Sequence, residues 1–124
     1  MVASGGELSR FMLSIEVVLA KLRLVPTVIF DEIDAGIGGV VADMVGDRLK
    51  KLGETFQIFV VTHLPQIASK GSSHFRISKE AKEGKTYTRI EKLDRRARVF
   101  EIAKMLGGRN MGEETISMAE KLIN

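Results

Sequence analysis

The sequence contains no cysteine, and this absence excludes two kinds of architecture. The fold cannot depend on disulfide bonds or on thiolate ligands to a metal, a composition that fits a reducing compartment. Apolar runs of about 20 residues, the length needed to cross a bilayer, are also missing. The first residues, MVASGG, lack the basic and apolar regions of a signal peptide. We therefore expect a cytoplasmic protein with no membrane partner.

The composition is that of a globular chain. The 124 residues are 44% hydrophobic and 28% charged, which suits one compact domain rather than a disordered segment. The net charge of +3 is unevenly distributed, because residues 70–98 contain ten basic and four acidic residues, a local +6. Such a segment could approach a nucleic-acid backbone, or it could be a solvated hairpin and its flank.

Hydrophobic periodicity predicts alternating helices and strands. Apolar residues recur at helical spacing over residues 8–22 and again over residues 37–52, and Gly53 is a plausible stop for the second helix. The runs TVIF (27–30) and QIFVVT (57–62) are typical of buried strands, and the first is expected to be central. Two such strands joined by a helix form a right-handed βαβ unit with parallel strands.

The second half of the sequence predicts a hairpin followed by helices. Alternation of apolar and polar residues around Phe75 and Ile77 indicates a half-buried strand. Residues 83–85 are typical of a turn, and residues 86–93 are expected to form the returning strand. Helices are expected around residues 99–106, where Gly107 and Gly108 end the pattern, and around 113–123. The fold class predicted is α/β, with parallel strands flanked by helices, a β-hairpin and C-terminal helices.

Two adjacent acids end the first predicted strand. In an open parallel sheet, ligands bind at the carboxyl ends of the strands. Asp31 has the oxygen chemistry for Mg²⁺, and Glu32 could orient or deprotonate a water that attacks a phosphate. The alternative is a strand end with solvated acids.

Two further features suit a phosphate ligand. The segment Ser4-Gly5-Gly6-Glu7 opens a helix, where free N–H groups and the helix dipole favour an anion, although Ser4 could simply cap the helix. His63, after the second strand, could hydrogen-bond a γ-phosphate or the attacking water, or be structural.

The order of these features resembles the second half of an ABC ATPase head, a P-loop NTPase fold. The matching positions are Ser4, Gly5, Gly6 and Glu7 to the signature motif, Asp31 and Glu32 to the end of the Walker B strand, Asp34 to the D-loop aspartate, and His63 to the switch histidine. The resemblance implies that Glu32 and His63 are catalytic, that Asp31 holds the metal, and that the signature residues and Asp34 bind nucleotide.

Longer strings narrow the resemblance to the RecN family of SMC-like ATPases. They are ASGGELSR (3–10), FDEIDAGIGG (30–39), VTHLPQIA (61–68) and RVFEIAKMLGG (98–108), although Ala3 stands where the wider family often has leucine. The resemblance implies ATP and Mg²⁺ as cofactors and a role in recombinational repair of DNA double-strand breaks. It also implies three partners: the N-terminal half of the same head, a second head in trans as a homodimer, and DNA.

The phosphate-binding loop Gly-x-x-x-x-Gly-Lys-Ser/Thr (Walker A) is missing from the sequence. Gly84-Lys85-Thr86 has its last three residues, but Lys79 occupies the position of the required earlier glycine. We therefore expect residues 1–124 to form the C-terminal lobe of a head, a fragment inactive by itself. The alternatives are another SMC-like chromosome or repair ATPase head, or a non-catalytic dimerisation or DNA-binding module.

Overall fold

The structure is a computed structural model that describes residues 26–109 and 111–124, together with six earlier positions. Those six positions are Phe11, Ser14, Ile15, Val18, Leu19 and Leu22, and all of them are helical, in agreement with the predicted first helix. The chain divides into two compact units, Met1–Lys70 and Gly71–Asn124. None of the described helices has the length and apolar character to cross a membrane.

The first unit contains the predicted βαβ arrangement. Strand β1 (Thr27–Phe30) pairs in parallel with β2 (Gln57–Val60), with Thr27 opposite Gln57 and Phe30 opposite Val60. Helix α1 (Gly39–Leu52) connects them, and the short helix α2 (Pro65–Ala68) follows β2. The prediction of parallel, adjacent strands is confirmed, although β2 ends two residues earlier than predicted and α1 begins two residues later.

Helix α1 provides most of the core of this unit. Ala42, Val45 and Leu49 lie on one face of the helix, are at most 5% exposed, and pack with Ile67 of α2. Partly buried residues surround this cluster: Phe30, Ile33, Ile37, Val41, Ile58, Val60 and Leu64. The opposite face of the sheet stays open, since Ile29 is 69% exposed. The predicted burial of β1 is therefore met only in part, since the other residues of the strand are half-buried.

Gly46 allows α1 and α2 to approach closely. A Cβ atom at this position would lie 2.9 Å from Lys70 Cγ and 3.0 Å from the carbonyl oxygen of Gln66. Lys70 Nζ in turn forms ion pairs with Asp43 at 3.0 Å and Asp47 at 2.8 Å on α1. The hydrogen bond to Asp47 is the main cause that raises the pKa of Lys70, so this lysine is charged where it joins the two helices.

The second unit is a hairpin with two helices. Strands β3 (Phe75–Lys82) and β4 (Lys85–Lys92) are antiparallel, and helices α3 (Arg95–Gly107) and α4 (Glu113–Ile123) follow them. Helix α3 begins four residues before the predicted start, because the Asp94 side chain accepts a hydrogen bond from the backbone N–H of Ala97 at 2.8 Å and caps it. Gly84-Lys85-Thr86 lies in the hairpin, as predicted, and not between a strand and a helix.

The hairpin differs from its prediction in the faces that it buries. Phe75 and Ile77 were expected to face the core, yet they are 48% and 60% exposed. The polar face is the one joined to α3, because Arg76 binds Glu91 of β4 at 2.7 Å and Glu101 of α3 at 3.3 Å. The buried apolar residues of this unit lie elsewhere: Leu93, Ile102, Ala103 and Ala119.

The hairpin turn carries backbone strain that a substitution can relieve. Both central residues have positive φ, 53° at Glu83 and 73° at Gly84, a conformation that suits asparagine far better than glutamate. We expect Glu83→Asn to raise the free energy of unfolding by about 1 kcal/mol. Urea unfolding of the chain measures this. Glu83→Gln removes the same charge without the conformational preference, and an equal gain in that control would contradict the explanation.

Candidate functional site

The site lies where the two parallel strands end. Asp31 and Glu32 directly follow β1, and His63 comes three residues after the end of β2. The backbone N–H of Val61 donates to the carbonyl of Phe30 at 2.9 Å, so the two chains stay paired as they leave the sheet. Parallel strands that are hydrogen-bonded neighbours bring their carboxyl ends to the same edge, where ligands bind in open α/β sheets.

Asp31 and Glu32 form a tight, exposed corner. The Asp31 Oδ1 atom accepts a hydrogen bond from the backbone N–H of Glu32 at 2.8 Å. Glu32 itself has φ of 53°, a strained left-handed conformation for a residue with a side chain. The Oδ2 atom of Asp31 accepts no hydrogen bond from the described residues, which leaves it available to a ligand.

Asp34 is the buried centre of the site. It is 6% exposed, and both of its carboxylate oxygens accept from the Thr62 hydroxyl at 2.8 Å. Its Oδ2 atom also accepts from the backbone N–H of His63 at 2.5 Å. The Thr62 oxygen accepts in turn from the backbone N–H of Leu64 at 3.0 Å. The buried carboxylate is thus satisfied by the chain that follows β2, and it fixes that segment against the loop after β1.

The same carboxylate holds the imidazole of His63. The distance from His63 Nδ1 to Asp34 Oδ2 is 2.7 Å, while the His63 side chain is 80% exposed. A carboxylate at this distance holds a proton on Nδ1, so Nε2 is a hydrogen-bond acceptor in the singly protonated ring and a donor in the doubly protonated one. His63 Nε2 makes no hydrogen bond to a described residue, which leaves one nitrogen of an oriented ring for a ligand.

The structure therefore brings some of the predicted residues together and adds one. Asp34 and His63 are in direct contact, and Asp31 and Glu32 lie at the same end of the sheet. Thr62 is a polar part of the site that sequence reasoning missed; the only signal was a hydroxyl residue directly before His63. The predicted anion-binding residues Ser4, Gly5, Gly6 and Glu7 lie outside the described residues.

The donor chemistry fits a magnesium ion bound chiefly through water and phosphate. No group of three or more His, Asp or Glu side chains in the described ranges could hold a metal by itself. Mg²⁺ usually takes one or two carboxylates and completes its shell with waters and substrate phosphates. The exposed carboxylate of Asp31, with one oxygen unbound by the chain, meets that requirement.

Comparison with known proteins finds relatives that match nearly the whole chain. The chain is 52% identical over 122 residues to the DNA repair protein RecN of Xylella fastidiosa, 48% to that of Vibrio cholerae and 44% to that of Rickettsia prowazekii. The resemblance to RecN is confirmed. Each match covers 98% of this chain, and the chain spans 22% of the length of each of these relatives. No family model matches the sequence.

Solved structures agree with the RecN match at the level of the fold. The chain resembles the Smc head domain of Pyrococcus yayanosii with a TM-score of 0.66 and 17% identity, covering 88% of this chain and 20% of that one. It also resembles an SMC ATPase studied for ATP-driven dimerisation and DNA-stimulated activation, with a TM-score of 0.63 and 16% identity, covering 88% of this chain and 65% of that one. The predicted fold class, part of an ABC/SMC head, is therefore confirmed.

Proposed function

We propose that this chain is part of a RecN-like ATPase that binds and hydrolyses ATP between paired heads during recombinational repair of DNA double-strand breaks. The match to RecN over nearly the whole chain supports the repair assignment. The observation that carries the ATPase assignment is the edge of the sheet, where Asp31, Glu32 and an oriented His63 follow neighbouring parallel strands.

In this proposal each acidic residue has a separate task. The exposed Asp31 carboxylate holds Mg²⁺ directly or through water, and the ion would neutralise charge on the phosphates. Glu32 orients a water molecule and accepts its proton as the water attacks. The left-handed backbone conformation of Glu32 is a strain of the kind that proteins keep at functional sites, which supports a role that depends on position.

His63 acts through the nitrogen that the chain leaves unoccupied. Asp34 fixes Nδ1, so Nε2 accepts a hydrogen bond from the attacking water or, when the ring carries a proton on both nitrogens, donates one to a γ-phosphate oxygen. Asp34 is buried, and its part in nucleotide binding is to hold His63 and the segment after β2 in place. A pre-oriented ring stabilises developing charge better than a mobile one, since it needs no reorganisation during the reaction.

The remaining parts of a complete head come from outside residues 1–124. The N-terminal half of the same head supplies the phosphate-binding loop. The signature residues Ser4, Gly5, Gly6 and Glu7 act on nucleotide held by a second head in trans, and DNA is the partner of the complete protein.

We expect the 124-residue chain alone to show no steady-state ATP hydrolysis, because phosphoryl transfer depends on wrapping and neutralising the phosphates. Phosphate release with Mg-ATP measures this. Addition of a separately expressed N-terminal half of a RecN protein, which carries the phosphate-binding loop, should produce turnover as the halves reassemble.

Two results would contradict the proposal. Turnover by the chain alone that survives purification and disappears in Glu32→Gln would show a complete active site within these residues. A stable complex of the two halves that binds ATP without hydrolysing it would favour a non-catalytic dimerisation module.

A further inference from the structure

A cavity within the second unit has no role in the function proposed above. Its volume is about 280 Å³. Three cationic side chains, two hydroxyls and one imidazole contribute to its lining, and none of the lining residues is acidic. The lining residues are Ser72, Ser73, His74, Lys92, Leu93, Arg95, Arg98 and Ile123.

Each of the two guanidinium groups in this cavity donates a hydrogen bond to a neutral oxygen atom. Arg95 donates to the side-chain oxygen of Asn124 at 2.9 Å, and Arg98 donates to the carbonyl oxygen of Gly71 at 2.5 Å. Within the described part of the chain, no carboxylate lies within ion-pair distance of Lys92 or Arg95. Arg76 in the same unit is the contrast, because two carboxylates neutralise it. The cavity thus positions Lys92 and Arg95 without neutralising them.

The cations are also crowded. Burial lowers the pKa of Arg98, and the positive charge of Arg95 lowers it further. Burial likewise lowers the pKa of His74, with a smaller contribution from Arg98 that Glu101 opposes, so the imidazole is neutral at pH 7. Like charges held close together at a partly buried position raise the energy of the empty cavity, and an anion between them would relieve the repulsion.

Asp94 is the acidic residue closest in sequence to these cations. It lies between the cavity residues Leu93 and Arg95, and its Oδ1 atom accepts from the backbone N–H of Ala97 at 2.8 Å. Its charge therefore stabilises the first turn of α3, where it offsets part of the local positive charge. Since no carboxylate of the described residues lies within ion-pair distance of Lys92 or Arg95, the rim of the cavity at these two side chains stays positive.

We propose that this cavity binds a phosphate group of the DNA backbone. Guanidinium groups donate paired N–H bonds that match phosphate oxygens, and lysine and serine add further donors. All the lining residues except Ile123 belong to the segment 70–98, whose net +6 would attract a polyanion over a distance. The choice of DNA rests on the proposed repair function, whereas binding itself requires neither ATP nor a second head.

The test measures DNA binding by the 124-residue chain in the absence of nucleotide. Fluorescence anisotropy with a double-stranded oligonucleotide that lacks terminal phosphates compares the wild type with Lys92→Gln/Arg95→Gln. We expect affinity to fall about tenfold, since charge-assisted hydrogen bonds are lost. The slope of log affinity against log salt should become shallower by about 1, the loss of one phosphate contact.

The matched control is Lys82→Gln/Lys85→Gln. It removes two exposed lysines that face each other beside the hairpin turn and that do not line the cavity. Affinity within about twofold of the wild type is expected, because these lysines are not held in a cavity. A second pair, Lys92→Arg/Arg95→Lys, keeps both charges and should bind DNA nearly as well as the wild type.

Three outcomes would overturn the proposal. The first is an equal loss of affinity in both glutamine pairs, which would indicate diffuse attraction to the basic segment. The second is binding of inorganic phosphate that is lost in Lys92→Gln/Arg95→Gln while the DNA affinity of this variant equals that of the wild type. That result would assign the cavity to free phosphate. The third is unchanged affinity in the single variant Arg95→Gln when circular dichroism shows it to be folded. Since no ATP is present, each outcome is independent of the ATPase proposal.

Discussion

Replacement of Asp34 by alanine is expected to lower the free energy of unfolding by about 3 kcal/mol. The carboxylate is 6% exposed and accepts from the hydroxyl of Thr62 and from the backbone N–H of His63. Without it, both donors lose their acceptor in a partly buried place where water replaces it poorly. The exposed imidazole of His63 contributes less, because solvent screens its interaction with the carboxylate. Thermal unfolding of the chain should show a decrease in Tm of about 10 °C.

Asp47→Ala is the matched control for this prediction. It also removes a carboxylate with a close cationic partner, at 2.8 Å from Lys70, but the Asp47 side chain is 60% exposed and Asp43 remains to pair with the lysine. We expect the control to cost less than about 1 kcal/mol. Equal losses in the two variants would mean that Asp34 is no more than an ordinary ion-pair partner.

The sequence predicted the framework of the site because that framework depends on local patterns. The apolar runs at residues 27–30 and 57–60, with an amphipathic helix between them, were sufficient for parallel neighbouring strands. That topology in turn places Asp31 and His63 at one edge of the sheet. The contact between Asp34 and His63 was beyond prediction, because it joins residues 29 positions apart through side-chain geometry in two loops.

The limits of sequence reasoning are clearest where one pattern permits two arrangements. Alternation in β3 correctly indicated a strand, but it could not show which face would meet α3. In the structure the face that carries Arg76 meets α3, through ion pairs of Arg76 with Glu91 and Glu101, and Ile77 is 60% exposed. The start of α3 was misplaced for a similar reason, since Asp94 begins the helix through a capping bond before the apolar pattern becomes visible. The cavity beside it depends on residues from three separate stretches of the sequence, and no local pattern reveals it.

Substitution of Glu32 by glutamine should have the largest effect on activity. In a RecN protein that carries this segment and its phosphate-binding loop, we expect ATP turnover to fall by about 10²- to 10⁴-fold, the usual contribution of a general base. Glutamine has nearly the same shape as glutamate and the same difficulty with the φ of 53° at this position, so the corner after β1 should be unchanged. Only the capacity to accept a proton is lost. ATP binding, measured separately by equilibrium titration, should therefore stay close to that of the wild type.

The matched control for Glu32→Gln is Glu54→Gln, an exposed position after α1 in the same unit that is expected to leave turnover unchanged. The comparison separates the loss of one negative charge from the loss of a base at the edge of the sheet. Near-normal turnover in Glu32→Gln would reject Glu32 as the catalytic base. Loss of ATP binding together with turnover would instead assign Glu32 to holding the nucleotide or its metal, because a pure base contributes to the reaction and not to the affinity of the ground state.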